Sequence, residues 1–360
     1  FIEVWHHFIN QEAVIARGLL ELSQATAIPY VVTNNVHYAR PEKRIIHDVL
    51  TCIRHEVTLA TAGRRLRPNG SWYMKSPEEM VHTWRDYPQG IKNTLVIAAR
   101  CQFRHGLLKP PLPRFQIPEI YSSVASTHDE LLEKLVWEGA AVRYGTLTEH
   151  HLKQLKHELS LISRMELAPY FLIMWDIVRF ARANGIAVQG RGSAANSAVC
   201  YCLFITAVDP IGMDLLFERF LSEGRNEPPD IDLDIAHQER ETVLQYVYEK
   251  YGREHAAMVC EVITYRGRSA VRDAARVLGF SQDQADRLAT MSSYAEAREA
   301  AQHLVDGGVA AAGLDLRDRR VQLLIRIVAG LHQLPRHRSI HVGGFVLSGE
   351  LLGDIVPIEP

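Results

Sequence analysis

PPDIDLDI, residues 228–235, places three aspartates alternately with Ile231, Leu233 and Ile235 directly after two prolines. Strict alternation of this kind reads as a β-strand, in which residues two apart share a face. Asp230, Asp232 and Asp234 therefore point one way, and the aliphatic side chains point into a core. Neighbouring carboxylates on such a strand stand about 6.6 Å apart, twice the rise per residue. At an effective dielectric near 20 each adjacent pair repels by roughly 2.5 kcal/mol. Against a net domain stability of about 5–15 kcal/mol that cost requires an offset. Arginine or lysine partners, or exposure on an edge strand, would supply one. Two Mg²⁺ ions would supply another, because they take carboxylate oxygens and keep positions open for phosphate. A calcium loop needs polar residues between the aspartates and a glycine after them, so Ile235 and the aliphatic spacers exclude it.

Working outward, GRGSAANS (190–197) follows the short strand IAVQ and precedes the helical AVCYCL. Two glycines let backbone approach an anion closely, Ser193 is placed to cap the helix, and free amides at a helix start favour phosphate. A turn about forty residues before the aspartates gives one element for phosphate, with Arg191, Gly192 and Ser193 at hand, and another for metal. Between them, LLFERFLSEGR (215–225) sets Arg219 among apolar residues, and a buried arginine needs an anion. Downstream, Arg268, Arg272 and Arg276 fall four apart on one helix stripe. That spacing suits either a solvated face or a track for a nucleic-acid backbone.

The composition is globular, 47% apolar and 23% charged, and the net charge of −2 leaves room only for a local nucleic-acid surface. Five scattered cysteines without a C-x-x-C pair point to a reducing cytoplasm and away from a disulfide framework or a zinc site. The most apolar run, YFLIMWDIVRF (170–180), carries Asp176 and Arg179 and is too short for a bilayer, so no membrane association is expected. The chain starts at Phe1 in an apolar run and stops at DIVPIEP, and both ends read as interior to something longer.

At 360 residues several domains are expected. The first block, 1–108, reads strand–helix–strand (FIEVW, EAVIARGLLELSQA, IPYVVTNNVHY), an α/β layer. Within it, Ser76-Pro77-Glu78-Glu79 is a helix start with a cap, a first-turn proline and a glutamate at N3. Four prolines in KPPLPRFQIP (109–118) mark a linker. Residues 119–264 alternate helix and strand. Residues 265–338 are helical, with Val321, Leu324, Ile325 and Val328 on one face, and strand character returns over 339–360. The fold class is α/β and α+β, multidomain.

QGRGSAANSAVCYCLFITAVDP, LLFERFLSEGR and PPDIDLDI, in that order, resemble the palm of the bacterial C-family DNA polymerases, the DNA polymerase III alpha subunit. The wording GRGSAANS…ITAVDP is closest to their damage-inducible, error-prone branch. PYVVTNNVHY, WYMKSPEEM and NTLVIAARC resemble the end of that family's N-terminal PHP domain. VCEVITYRGRSAVRDAARVLG and HRSIHVGGF resemble the exit to the thumb and the return into the palm. The resemblance makes 1–108 the C-terminal part of a PHP-like domain, 119–264 the palm, 265–338 the thumb and 339–360 an incomplete return. It implies template-directed nucleotidyl transfer, in which a primer 3′-OH attacks the α-phosphate of a dNTP with two Mg²⁺ ions at the palm. Asp230 and Asp232 match the catalytic metal ligands, with Asp234 in support, and roles can exchange among the three. Gly192 and Ser193 match the phosphate loop with Arg191 beside them, and Arg219 matches an arginine on the nucleotide's phosphates. Partners implied are primer–template DNA, dNTPs, a sliding clamp and a translesion mutasome protein.

Two departures accompany the resemblance. The family's third catalytic aspartate and its fingers lie beyond Pro360, so the chain as written carries part of an active site and is expected to be inactive alone. The PHP metal ligands D-x-H are here Asn35-Val36-His37, so PHP metal binding and a proofreading nuclease are not expected. Two other readings stand beside the polymerase: a PHP-type metal-dependent phosphoesterase, and a non-enzymatic DNA- or partner-binding module with a degenerate palm. A longer reading frame that continues to a K-x-D strand discriminates against the last.

Overall fold

The computed structural model describes all residues except 104–112, 114, 223–228, 230, 293 and 360. Half of the Pro-rich linker, and Asp230, therefore lie outside the described residues. The fold is mixed α/β and mainly helical. Six strands among the described residues, β1 (Ile2–Val4), β2 (Tyr30–Val32), β3 (Val188–Arg191), β4 (Asp232–Ile235), β5 (Ala256–Thr264) and β6 (Pro335–Leu347), form the two-stranded sheets β1–β2, β3–β4 and β5–β6. No helix of the described residues is long and apolar enough to cross a membrane.

The chain divides into two compact units. One comprises 1–104 and 260–340. In it β1 and β2 pair in parallel, Ile2 opposite Tyr30 and Val4 opposite Val32, with helix Asn10–Thr26 as the crossover. This is the expected strand–helix–strand layer, and Val4, Leu20, Val32 and Trp84 form its small core. The helix start at Ser76 is a full capping box: Ser76 accepts from the Glu79 amide and Glu79 accepts from the Ser76 amide. The larger core of this unit joins Ile46, Val49, Cys52 and Ala62 to the helices of 267–330, including Val321, Leu324 and Val328. Residues 46–62 of the first block thus pack with the later helical segment.

The other unit comprises 105–259 and 341–360. Its core is built by helices His128–Tyr144, Glu149–Arg164, Ala168–Ala183 and Ala198–Cys202, through Leu131, Leu155, Ile162, Phe171, Leu172 and Ile205. Helix Ala168–Ala183 stops at Asn184-Gly185, with Gly185 at φ 70°, where the sequence places a terminator. The chain then enters β3, which pairs antiparallel with β4: Val188 opposite Ile235, Gln189 opposite Asp234, Gly190 opposite Leu233 and Arg191 opposite Asp232. Two strands far apart in sequence meet here, and the candidate site lies at this ladder.

Candidate functional site

Over residues 231–235 the alternation survives folding. Ile231 is buried, Leu233 and Ile235 pack against the core, and Asp232 and Asp234 are exposed on the opposite face. The Ile231 amide donates to the Tyr170 hydroxyl (3.2 Å), which fixes the entry to β4. Exposure changes the cost of the like charges. Two solvated carboxylates about 6.6 Å apart repel by only about 0.6 kcal/mol in bulk-water dielectric, a quarter of the figure for a semi-buried face. Arg191 removes part of the remainder: its Nε lies 2.9 Å from Asp234 Oδ1, both side chains being nearly two-thirds exposed. Such a pair is worth about 0–1 kcal/mol. Solvent and one arginine therefore suffice to make this face tolerable, and the repulsion by itself does not require a metal.

The carboxylate of Asp232 has no side-chain hydrogen bond or ion pair among the described residues. It faces the glycine turn. Gly192 takes φ +70°, and a Cβ there would lie 3.5 Å from Asp232 Oδ2. The left-handed φ is what calls for a glycine here, since a Cβ would meet Asp232 only at ordinary contact distance. Residues Gly192–Asn196 then form a 3-10 turn, with Asn196 donating to the Ser193 carbonyl (3.1 Å), and helix Ala198–Cys202 follows. The turn holding Phe217–Arg219 packs against it.

Three expectations at this turn need correction. Ser197, not Ser193, caps the helix, accepting from the Cys200 amide at 3.1 Å, because the 3-10 turn delays the helix start by four residues. The first helical amides are not free for phosphate. Ala198 and Val199 donate to the two carboxylate oxygens of Glu158, each at 3.0 Å, and the Ser197 hydroxyl donates to the same group at 2.8 Å. Arg219 is exposed rather than buried, since the short turn directs Phe217 and Phe220 into the core and turns the guanidinium outward.

Glu158 was not legible as a site residue from composition, yet it is fully buried and accepts a fourth bond from Gln154 Nε2 (2.9 Å). Burial pushes its carboxyl above the usual range, and the four donors pull against that shift. The available signal was its position: Glu158 falls on the stripe of Leu155, Leu159 and Ile162, where an apolar residue belongs.

A second buried carboxylate braces the ladder. Asp176, on the helix leading into β3, accepts from Lys250 Nζ (2.5 Å) and the Tyr246 hydroxyl (2.6 Å), and from Arg179 Nη2 (3.2 Å). Tyr246 and Lys250 belong to helix Arg240–Tyr251, which follows β4. Phe180 stacks on Tyr246 with ring centres 3.8 Å apart. The helices flanking β3 and β4 are thereby tied to each other.

The arginine stripe lies in the other unit, on helix Gly267–Val277. Arg268 is exposed, whereas Arg272 pairs with Asp286 (2.9 Å) and Arg276 Nη2 donates to Gln282 (3.3 Å). Two of the three guanidiniums thus serve helix–helix contacts within the unit. Also there, His37 Nε2 accepts from Arg67 Nη2 at 2.7 Å, two residues from Asn35 in sequence. Burial first, then the charge of Arg67, holds the His37 pKa below its usual value.

What the ladder can do follows from its donor set. Exposed carboxylate oxygens on one strand face are hard ligands of the kind Mg²⁺ takes, and Asp232 fits that use as it stands. Asp234 is engaged by Arg191. Asp230 lies outside the described residues.

Residues 130–360 match the family described as the bacterial DNA polymerase III alpha NTPase domain. An error-prone DNA polymerase of Anaeromyxobacter dehalogenans (strain 2CP-C) is 41% identical, over 100% of this chain and 38% of its own length. Error-prone DNA polymerase 1 of Agrobacterium fabrum is 45% identical over 95% of this chain and 31% of its own length. An error-prone DNA polymerase of Brucella abortus is 43% identical over 98% of this chain and 32% of its own length. The chain thus spans about a third of the curated relatives it matches.

Proposed function

From the premise that this chain belongs to the bacterial DNA polymerase III alpha family, we propose that it forms part of a DNA-directed DNA polymerase of the error-prone, translesion kind. The reaction is nucleotidyl transfer from a dNTP to a primer 3′-OH, and the setting is the DNA damage response in the cytoplasm. The observation that carries the proposal is the β3–β4 ladder. It sets Arg191 opposite Asp232 and brings the Gly192 turn within van der Waals reach of the Asp232 carboxylate. The elements we assign to phosphate and to metal, forty residues apart in sequence, are thereby adjacent.

In this reading Asp232, with Asp230, would hold two Mg²⁺ ions, which when bound would favour the ionised primer hydroxyl and offset charge on the pyrophosphate. Asp234 supports by orienting Arg191 through the 2.9 Å pair. Arg191, Gly192 and Ser193 receive the triphosphate, and the exposed Arg219, on the neighbouring turn, reaches its outer phosphates. Residues 1–108 act as the end of a PHP-like domain without a resident metal, 119–264 and 339–360 as palm, and 265–338 as thumb. Arg268 is the best placed of its stripe for primer–template DNA, since Arg272 and Arg276 have internal partners. A sliding clamp and a mutasome protein are the partners proposed from the family.

The test is incorporation of a single dNTP on primed DNA with Mg²⁺ by the full-length polymerase that contains this segment. Asp232→Asn is expected to lower the incorporation rate by at least a thousandfold, leaving DNA affinity within twofold. Incorporation at the unmodified rate would overturn the assignment.

A further inference from the structure

We infer that Glu158 is a positioning residue for nucleotide binding, setting the Gly192–Asn196 turn from behind. The inference rests on the polymerase reading of the ladder and adds a residue that touches neither metal nor nucleotide. The turn is pinned at both ends. At its entry, the Gly190 amide donates to the Ile205 carbonyl at 2.6 Å. At its exit, one Glu158 carboxylate takes the Ser197 hydroxyl and the Ala198 and Val199 amides at 2.8–3.0 Å.

A short neutral hydrogen-bond set could have closed this exit, and an ordinary cap would have satisfied one amide. A fully buried carboxylate satisfies three donors at once with charge-assisted bonds. Charge-assisted bonds of this kind fix geometry more tightly than neutral ones, and a turn already fixed does not lose conformational entropy when a triphosphate binds. Glu158 is carried on helix Glu149–Arg164, whose Leu155, Leu161 and Ile162 are core residues, so the carboxylate itself cannot drift. Gln154 holds its outer oxygen from one helical turn away.

Glu158→Gln keeps the shape but puts an amide NH₂ against backbone amides that also donate, so at least one of them loses its acceptor. Released at its exit, the turn samples other conformations, and the competent one is populated less. The reduction appears in the apparent affinity for nucleotide.

The experiment measures single-nucleotide incorporation by the full-length polymerase as a function of dNTP concentration, with primer–template affinity measured separately. Glu158→Gln is expected to raise KM for dNTP about tenfold, with kcat within threefold of the unmodified enzyme and DNA affinity unchanged. An unchanged KM in a folded Glu158→Gln protein overturns the inference, whatever happens to thermal stability. Ser197→Ala, which removes only the hydroxyl, decides the matter if Glu158→Gln fails to fold: a severalfold higher KM supports the inference and an unchanged KM overturns it. Asp232→Asn in the same assay separates the two levels. If it is inactive while Glu158→Gln has normal KM, only the positioning role falls; if it is fully active, the reading of the ladder falls and this inference with it.

Discussion

Gly190→Ala puts the packing of the ladder under the most direct strain. A Cβ on Gly190 would lie 2.7 Å from the carbonyl oxygen of Ile205 and 2.8 Å from its Cγ2, and Ile205 is fully buried. To reach ordinary contact near 3.4 Å the strand must withdraw by about 0.7 Å. That withdrawal stretches the 2.6 Å bond from the Gly190 amide to the same carbonyl to about 3.3 Å, just past the usual range, and weakens it. Overpacking of this kind costs about 1–3 kcal/mol. The weakened hydrogen bond adds about 0.5 kcal/mol. Alanine returns about 0.5 kcal/mol by stiffening the unfolded chain. The net expectation is a loss of about 1–3 kcal/mol, read as a lower urea midpoint at unchanged m-value by circular dichroism. Gly18→Ala is the control, because nothing lies within 4 Å of a Cβ there and the residue sits inside helix Asn10–Thr26. It should stabilise by about 0.5–1 kcal/mol. A Gly190→Ala protein within 0.5 kcal/mol (about the scatter of surface substitutions) of the parent would refute the close-approach argument.

Asp176→Asn replaces the buried acceptor of Lys250, Tyr246 and Arg179 by a weaker amide, while the partly exposed Lys250 can turn to solvent, and should destabilise the chain by about 2 kcal/mol; a urea midpoint unchanged from the parent would show that the clamp between the two helices carries no weight. His37 should titrate below its ordinary 6.5 in an NMR pH series, because burial, Arg67, His47 and His7 all disfavour its charged form. The unfolded chain then binds the proton more readily, so this residue's contribution to stability is present above 6.5 and is lost as pH falls from there through the lower folded value. Arg67→Ala should move the His37 titration upward, and a midpoint at or above 6.5 in the parent would contradict the assignment.

Local chemistry was legible where neighbours in sequence are neighbours in space. The capping box at Ser76 and the alternation over residues 231–235 each rest on contacts within a few residues, and each appears as read. The partner of β4 was not legible. Only the fold reveals that Arg191 faces Asp232 and that its guanidinium turns to Asp234. For the same reason the repulsion on the aspartate face was overestimated, since exposure is a tertiary property and sets the dielectric. Ser193 was read as the helix cap, and the left-handed Gly192 with its 3-10 turn passes that role to Ser197, four residues later. The helix start was read as open to phosphate because its occupant, Glu158, comes from a helix forty residues earlier. Arg219 was read as buried from its apolar neighbours, and a three-residue turn has room to send Phe217 inward and the arginine out.

The central claim is that the Asp232 face of β4 holds divalent cations. Its most direct test is titration of Mn²⁺ into the full-length polymerase that contains this segment, with and without dNTP, following free Mn²⁺ by electron paramagnetic resonance. Even outer hydrogen-bond partners of metal ligands change affinity about 10–100-fold, so loss of a ligand itself sets a firm lower bound. The account predicts that Asp232→Asn weakens the dNTP-dependent Mn²⁺ sites by at least about tenfold. Binding of equal affinity and stoichiometry in the parent and in Asp232→Asn would contradict it.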